Sequence, residues 1–182
     1  MKKHIWFLVL VLAIWGCFSQ PVEPQLEING GVAKETYDNM GWGGGLASRL
    51  AYRVTITVKN HGPGFFCDTV LGSFIPANGK PLDCLSVRAD ASDPSGQKKI
   101  PWVFSEGESL EFEFTTNGYT DMLLIDCGDQ PLEFRLRLGV TGRSQAIAYT
   151  VDLPSLKSLP MFEPVNPGQQ NIQPLTLQKI SS

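Results

Sequence analysis

The chain has 182 residues, of which 42% are hydrophobic and 18% are charged, with a formal net charge of −3. This length suits one ordinary globular domain, and the hydrophobic fraction excludes both a disordered chain and a polytopic membrane protein. Because the chain is mildly acidic and has no basic surface signature, nucleic-acid binding is not expected.

The N-terminal residues have the pattern of an export signal. Two lysines at positions 2 and 3 precede an apolar run over residues 5–16. This run is shorter than the roughly 20 apolar residues of a membrane-spanning helix, and a basic start followed by a short apolar run is typical of a signal peptide. The run ends in Ile14-Trp15-Gly16-Cys17, which resembles the lipobox of bacterial lipoproteins.

The lipobox resemblance implies cleavage before Cys17 and lipidation of that residue. The protein would then face the periplasm or exterior of the bacterial cell envelope, held to the membrane by its lipid. We therefore expect residues 1–16 to be a signal peptide and residues 17–25 to be the lipidated cysteine and a polar spacer. The alternatives are cleavage after Ser19, which gives a secreted protein, and an uncleaved anchor.

Alternating polar and apolar residues then predict a series of strands. A short strand at Leu26–Ile28 is expected to end at a turn over 29–31, with a further strand over 32–37 and a glycine loop at 41–45. The clearest strand is 51–59, in which alternate residues are predicted to face the core: Tyr52, Val54, Ile56 and Val58.

Further strands follow at spacings of about 8–14 residues, which is typical of all-β domains. Asn78-Gly79 predicts a hairpin between 65–75 and 82–89. The other predicted strands cover 100–104, 110–115, 122–127, 132–138 and 147–153. No segment supplies the crossovers of a parallel sheet, so we expect an all-β, antiparallel β-sandwich of about eight to ten strands over 26–153. Residues 154–182 are rich in Pro and Gln and are expected to be a tail or wrap-around segment with an edge strand near 175–177.

Two stretches give the predicted sandwich a family resemblance. The strand 54–59 ends in Asn60-His61-Gly62, and the turn Gly107-Glu108-Ser109 opens the strand that follows it. This pattern resembles bacterial immunoglobulin-like accessory domains. The resemblance implies an immunoglobulin-like sandwich with an adhesive or structural role and no active site.

Three cysteines remain when Cys17 is set aside, and export would let disulfides persist. Because three is an odd number, at least one thiol is left over. Cys67 and Cys84 lie asymmetrically about the predicted hairpin, so we favour Cys67–Cys127, whose loop would add about 4 kcal/mol in the chain-entropy model. Cys84–Cys127 and the absence of any bridge stay open.

Few residues suit catalysis or metal binding. His61 is the one histidine after the signal. A nucleophilic catalytic site would have to combine it with Cys67 or Asp68, which are near it in sequence. We expect His61 instead to face water from its turn. One histidine and scattered cysteines predict no metal site and no cofactor. The acidic loops at 90–93 and 126–129 are expected to be solvated turns rather than calcium loops.

Two pairs of carboxylates are candidates for glycoside hydrolysis: Glu106 with Glu108, and Glu111 with Glu113. The second pair occupies the outward positions of an alternating strand, so we expect it to be solvated. Trp42, in its glycine loop, is the candidate for contact with a ligand.

These patterns predict a lipid-anchored, extracytoplasmic β-sandwich with a structural or protein-binding role in the cell envelope, and no enzymatic activity. Its expected partners are the membrane, through the lipid, and another envelope protein. Two alternatives stay open: a secreted carbohydrate-binding module or hydrolase accessory domain that uses Trp42, and a proteinase inhibitor on an immunoglobulin-like scaffold.

Overall fold

The computed structural model describes residues 23–40, 46–77, 82–85, 102–116, 132–163 and 171–180. These residues form strands and one 3₁₀ turn, Leu156–Ser158. The ten strands are β1 Leu26–Met40, β2 Leu46–Asn60, β3 Phe65–Pro76, β4 Leu82–Leu85, β5 Trp102–Phe104, β6 Ser109–Thr115, β7 Leu132–Val140, β8 Ile147–Leu153, β9 Gln173–Leu175 and β10 Gln178–Lys179.

The strands build two antiparallel sheets. Sheet A has the order β6-β2-β1-β9, and sheet B has the order β10-β8-β7-β3-β4, with β5 pairing to β3. The predicted all-β, antiparallel sandwich is therefore confirmed. The predicted strand at 122–127 lies outside the described residues.

The core lies between the two sheets and follows the predicted alternation. Tyr52, Val54, Ile56 and Val58 of β2 are all buried, as are the apolar side chains at alternate positions of β7. The two faces meet through aromatic rings, with the centroids of Phe114 and Phe134 5.3 Å apart. Each such buried side chain stabilises the fold by about 1.5–3 kcal/mol, so this contact fixes the sheets face to face.

The two sheets approach closely at Gly72 of β3. A Cβ atom at this position would lie 2.5 Å from Cδ1 of Phe114 on the opposite sheet. A side chain here would displace the ring, which explains why a glycine occupies the middle of a buried strand.

The turn predicted over 29–31 is wrong, because β1 continues from Leu26 to Met40 and pairs with β2 along its whole length. Its two glycines make room for the C-terminal residues rather than a turn. A Cβ on Gly30 would lie 3.0 Å from Cδ1 of Leu177, and one on Gly31 would lie 2.7 Å from Cδ1 of Ile172.

The C-terminal residues 171–180, which we call the C-terminal arm, join both sheets along one side of the sandwich. Within it, β9 pairs with β1 in sheet A, and β10 pairs with β8 in sheet B. Leu175 is buried in the core, and Leu177 packs against it. The predicted edge strand is present, displaced to Gln173–Leu175.

The predicted hairpin of β3 and β4 is confirmed, since Phe74 pairs with Leu82 and Gly72 pairs with Cys84, while the Asn78-Gly79 turn lies outside the described residues. At its other end, β3 departs from regular pairing with β7 between Cys67 and Thr69. Asp68 occupies this bulge, so an extra residue near the start of β3 changes the facing of the side chains that follow.

Candidate functional site

The antiparallel strands give the sandwich two distinct ends. At one end β1 begins, β2 ends and β3 begins, and the turns 61–64, 105–108 and 141–146 lie there. We call this the tether end, because residues 23–25 also lie here and His61 donates its backbone N–H to the carbonyl of Gln25 at 2.7 Å. The opposite end is the hairpin end, where β1 ends at Met40 and β2 begins at Leu46.

Asn60 ties the turns of the tether end together. Its side chain is fully buried, and Nδ2 donates to the carbonyl oxygens of Pro63, Phe104 and Ser105 at 3.1–3.2 Å. The backbone carbonyl of Asn60 accepts a hydrogen bond from the backbone N–H of Gly107 at 2.7 Å. The two stretches that carry the immunoglobulin-like resemblance therefore meet directly.

His61, the expected water-facing turn residue, is half exposed but has a partner. Its Nε2 lies 2.7 Å from Oε2 of Glu27, and the two side chains are 45% and 51% exposed. The hydrogen bond from His61 lowers the pKa of Glu27, with a smaller contribution from Asn29. The imidazole therefore joins the turn to β1.

Cys67 is a free, buried thiol. Burial raises its pKa to about 11, and its Sγ donates to the carbonyl of Thr69 at 3.5 Å. Since the thiolate is the reactive form, this cysteine is unsuited to nucleophilic chemistry near neutral pH. The predicted partner Cys127 lies outside the described residues, so the Cys67–Cys127 bridge stays a prediction.

Glu113 was expected to be solvated, and this is wrong: the residue is only 9% exposed. Both of its carboxylate oxygens accept hydrogen bonds from Nη2 of Arg53, at 2.8 and 2.9 Å. Nη1 of Arg53 donates to Glu35 at 2.9 Å. The centroid of the Phe162 ring lies 4.0 Å from the guanidinium carbon of Arg53, so the ring partly shields the ion pair from water.

In the other predicted pair, Glu106 and Glu108, it is Glu108 that has a structural role. Oε2 of Glu108 accepts a hydrogen bond from the backbone N–H of Ser105 at 2.8 Å and closes the turn before β6. Glu106 is exposed in the same turn. Of the four carboxylates considered for hydrolysis, Glu108 thus holds a turn and Glu113 belongs to an ion pair.

The first described residue, Glu23, is fastened to the C-terminal arm. Its Oε1 lies 2.7 Å from Nζ of Lys179. The hydrogen bond and charge of Lys179, and then the charge of Arg143, lower the pKa of Glu23. Two cavities border this ion pair: one of about 300 Å³ against the turn 142–146, and one of about 530 Å³ beside Leu26 and Tyr149.

An apolar pair is exposed at the tether end of sheet B. Phe66 is 58% and Val103 is 47% exposed, and the two residues are directly opposite in the ladder of β3 and β5. The carbonyl of Phe66 accepts a hydrogen bond from the N–H of Thr141 at 2.9 Å, which brings the turn 141–146 alongside. Sequence reasoning missed this pair, although adjacent apolar residues at 65 and 66 in an alternating strand require that one of them face outward.

Several predicted site residues lie outside the described part of the chain. These are Cys17, Trp42 and Cys127. Within the described ranges, no group of three metal-ligating side chains occurs, and no helix is long and apolar enough to span a membrane.

The geometry defines an all-β chain of two antiparallel sheets, with an exposed apolar pair and a fastened N-terminal segment at one end. No protein-family model, curated protein or solved structure matches this chain.

Proposed function

We propose that the chain is a lipid-anchored, extracytoplasmic β-sandwich protein with a structural or protein-binding role in the bacterial cell envelope, and that it is not an enzyme. The observation that carries this proposal is the position of Glu23, six residues after Cys17 and fastened to Lys179 at the tether end. Six residues span at most about 20 Å, so a lipid on Cys17 would hold the sandwich close to the membrane.

The partners of the titratable side chains support a non-catalytic role. His61 pairs with Glu27, Glu108 closes a turn, and Glu113 pairs with Arg53. These three candidate groups for catalysis are therefore engaged in holding the fold. The direct contact of Asn60 with Gly107 supports the immunoglobulin-like assignment.

The hairpin end offers a surface for a protein partner. Strands β1 and β2 are longer than their neighbours β6 and β9. They continue to pair with each other from Glu35 opposite Ala51 to Met40 opposite Leu46, where neither β6 nor β9 pairs with them. Among the described residues, no third strand pairs with this ribbon, which extends the sheet by roughly 17 Å. Open strand edges accept a partner strand readily, and this ribbon projects away from the tether.

Lipidation is tested by metabolic labelling with an alkynyl fatty acid in a bacterial host. We expect the wild-type chain to be labelled and Cys17→Ala to be unlabelled, because the lipid is attached at that residue. Cys84→Ala is the matched control and should stay labelled. N-terminal mass spectrometry should place the mature start at Cys17. An unlabelled wild-type chain, or a mature start at Gln20, would refute the anchor and favour secretion.

A further inference from the structure

The exposed pair Phe66 and Val103 is the least expected surface of the described chain. Both residues project from the outer face of sheet B, since their neighbours Phe65 and Phe104 are buried with ring centroids 5.4 Å apart. Solvated surfaces carry single apolar residues without consequence, but two directly opposed large ones form a continuous patch. Among the described residues, Met161 is the one other large hydrophobic residue that is exposed, so this pair is where exposed apolar side chains come together.

Contacts along the tether end place this patch near the proposed anchor. Arg143 is close enough to Glu23 to act on its carboxylate, and its turn is hydrogen-bonded to Phe66 through Thr141. Lys179 of β10, which holds Glu23, is level with Gly72 of β3 through Tyr149 and Leu136. Phe66 therefore lies about 14 Å across the sheet and about 17–20 Å along β3 from that level, but Glu23 also borders the turn 142–146 at the tether end. A tether of about 20 Å can therefore bring Cys17 and the patch to the same membrane surface.

We propose that Phe66 and Val103 contact the phospholipid surface in which Cys17 is anchored, with Arg143 beside them at the phosphate level. This inference rests on the proposed lipid anchor. Aromatic side chains reside favourably at the boundary of headgroups and acyl chains, and arginine binds phosphate oxygens through several N–H groups. Of the acidic neighbours, Glu23 is neutralised by its ion pair with Lys179, and the Asp68 carboxylate accepts a hydrogen bond from the Thr141 hydroxyl at 3.5 Å.

The contact fixes the orientation of the whole molecule. With the tether end against the lipid, the ribbon of β1 and β2 points away from the membrane. The sandwich is then held at two points, the lipid and the patch, instead of at the lipid alone.

The test uses the full lipidated chain in vesicles of phosphatidylethanolamine and phosphatidylglycerol that contain a brominated phospholipid. Phe66→Trp reports on the patch, and Val103→Trp is a second reporter in case the first disturbs β3. Asp152→Trp is the matched control, because Asp152 is exposed on the same sheet. Asp152 pairs with Glu133, which pairs with Ile75 of β3, so it lies roughly 30 Å along the strands from Phe66. Fluorescence of the wild-type tryptophans is subtracted.

We expect bromine to quench the patch reporters several-fold more than the control. Equal quenching of patch and control reporters, in chains that sediment with the vesicles, would overturn the membrane contact and leave the anchor intact. A patch reporter that is shielded from acrylamide yet unquenched by bromine would overturn it in favour of a protein partner. If the wild-type chain itself fails to sediment with the vesicles, the anchor fails, and the proposed orientation fails with it.

Discussion

Burial gives Asn60 and Cys67 different properties, although both lie near the tether end. The amide of Asn60 meets three carbonyl oxygens and the N–H of Gly62, so its polar atoms stay paired inside the protein. A paired buried amide holds its neighbours in place, because any change of position would break several hydrogen bonds. The thiol of Cys67 is desolvated instead, and desolvation favours its neutral form.

The neutral thiol predicts slow alkylation of Cys67 in the folded chain. With a pKa of about 11 in place of the ordinary 9.0, the thiolate fraction at pH 8 falls about 100-fold, and burial restricts access further. Iodoacetamide should label the Cys67 peptide only after unfolding in guanidinium, as measured by mass spectrometry. If the unfolded, unreduced chain resists labelling at Cys67, the thiol is bridged, which would contradict the structure and support the Cys67–Cys127 pairing.

The C-terminal arm covers the two adjacent glycines of strand β1. Two adjacent glycines weaken a strand in isolation, since they bury no side chain and lose much conformational freedom. Here Leu177 and Ile172 occupy the space that two side chains would take, and β9 pairs along the same residues. The arm and the glycines therefore stabilise each other and connect sheet A to sheet B.

Gly30→Val should displace the arm. The added side chain would overlap Ile56 and Leu177, because even a Cβ lies 2.8 and 3.0 Å from their Cδ1 atoms. We expect a loss of about 1–3 kcal/mol in the free energy of unfolding and faster hydrogen exchange across 171–180.

The control is Asn29→Val, at an exposed position of the same strand. It should leave exchange in the arm unchanged. Equal protection of residues 171–180 in Gly30→Val and the wild type would show that the arm does not depend on the glycines.

Over the whole molecule, charged groups are arranged to stabilise the folded state through ionised carboxylates. Glu133, on the outer face of sheet B, accepts hydrogen bonds from the Thr150 hydroxyl at 2.8 Å and from Arg135 Nη2 at 2.7 Å. These contacts, the first being the larger, lower the pKa of Glu133. Glu23 and Glu27 have lowered pKa values for similar reasons.

A lowered carboxyl pKa predicts loss of stability in acid. Each group contributes fully above its unfolded pKa, near 4.5, and the contribution disappears as the pH falls through the folded value. Urea unfolding at pH 7 and at pH 3 should show lower stability at pH 3, and a smaller difference in Glu133→Gln. Glu106→Gln, in an exposed turn, is the matched control. An unchanged pH dependence in Glu133→Gln would contradict the role of this carboxylate.

Local patterns were sufficient to predict much of the fold. Alternation placed β2, β6, β7 and β8, and Asn78-Gly79 placed the centre of the hairpin between β3 and β4. These predictions succeed because a strand with one buried face has a period of two in any sandwich. The proposed lipid anchor likewise depends on a short linear motif, which is readable without a fold.

The errors arose where a distant segment decides the environment. The alternation of its strand predicted that Glu113 is solvated, but Phe162 covers its partner Arg53. The two glycines of β1 predicted a turn, but the C-terminal arm fills the space above them. Phe66 was seen as one more apolar strand residue until its facing was known. Sequence alone therefore defined the period of strands such as β2, β6, β7 and β8. The packing of segments far apart in the chain decided which polar groups lost water and which apolar groups kept it, because burial depends on the atoms that lie above a side chain and not on its neighbours in sequence.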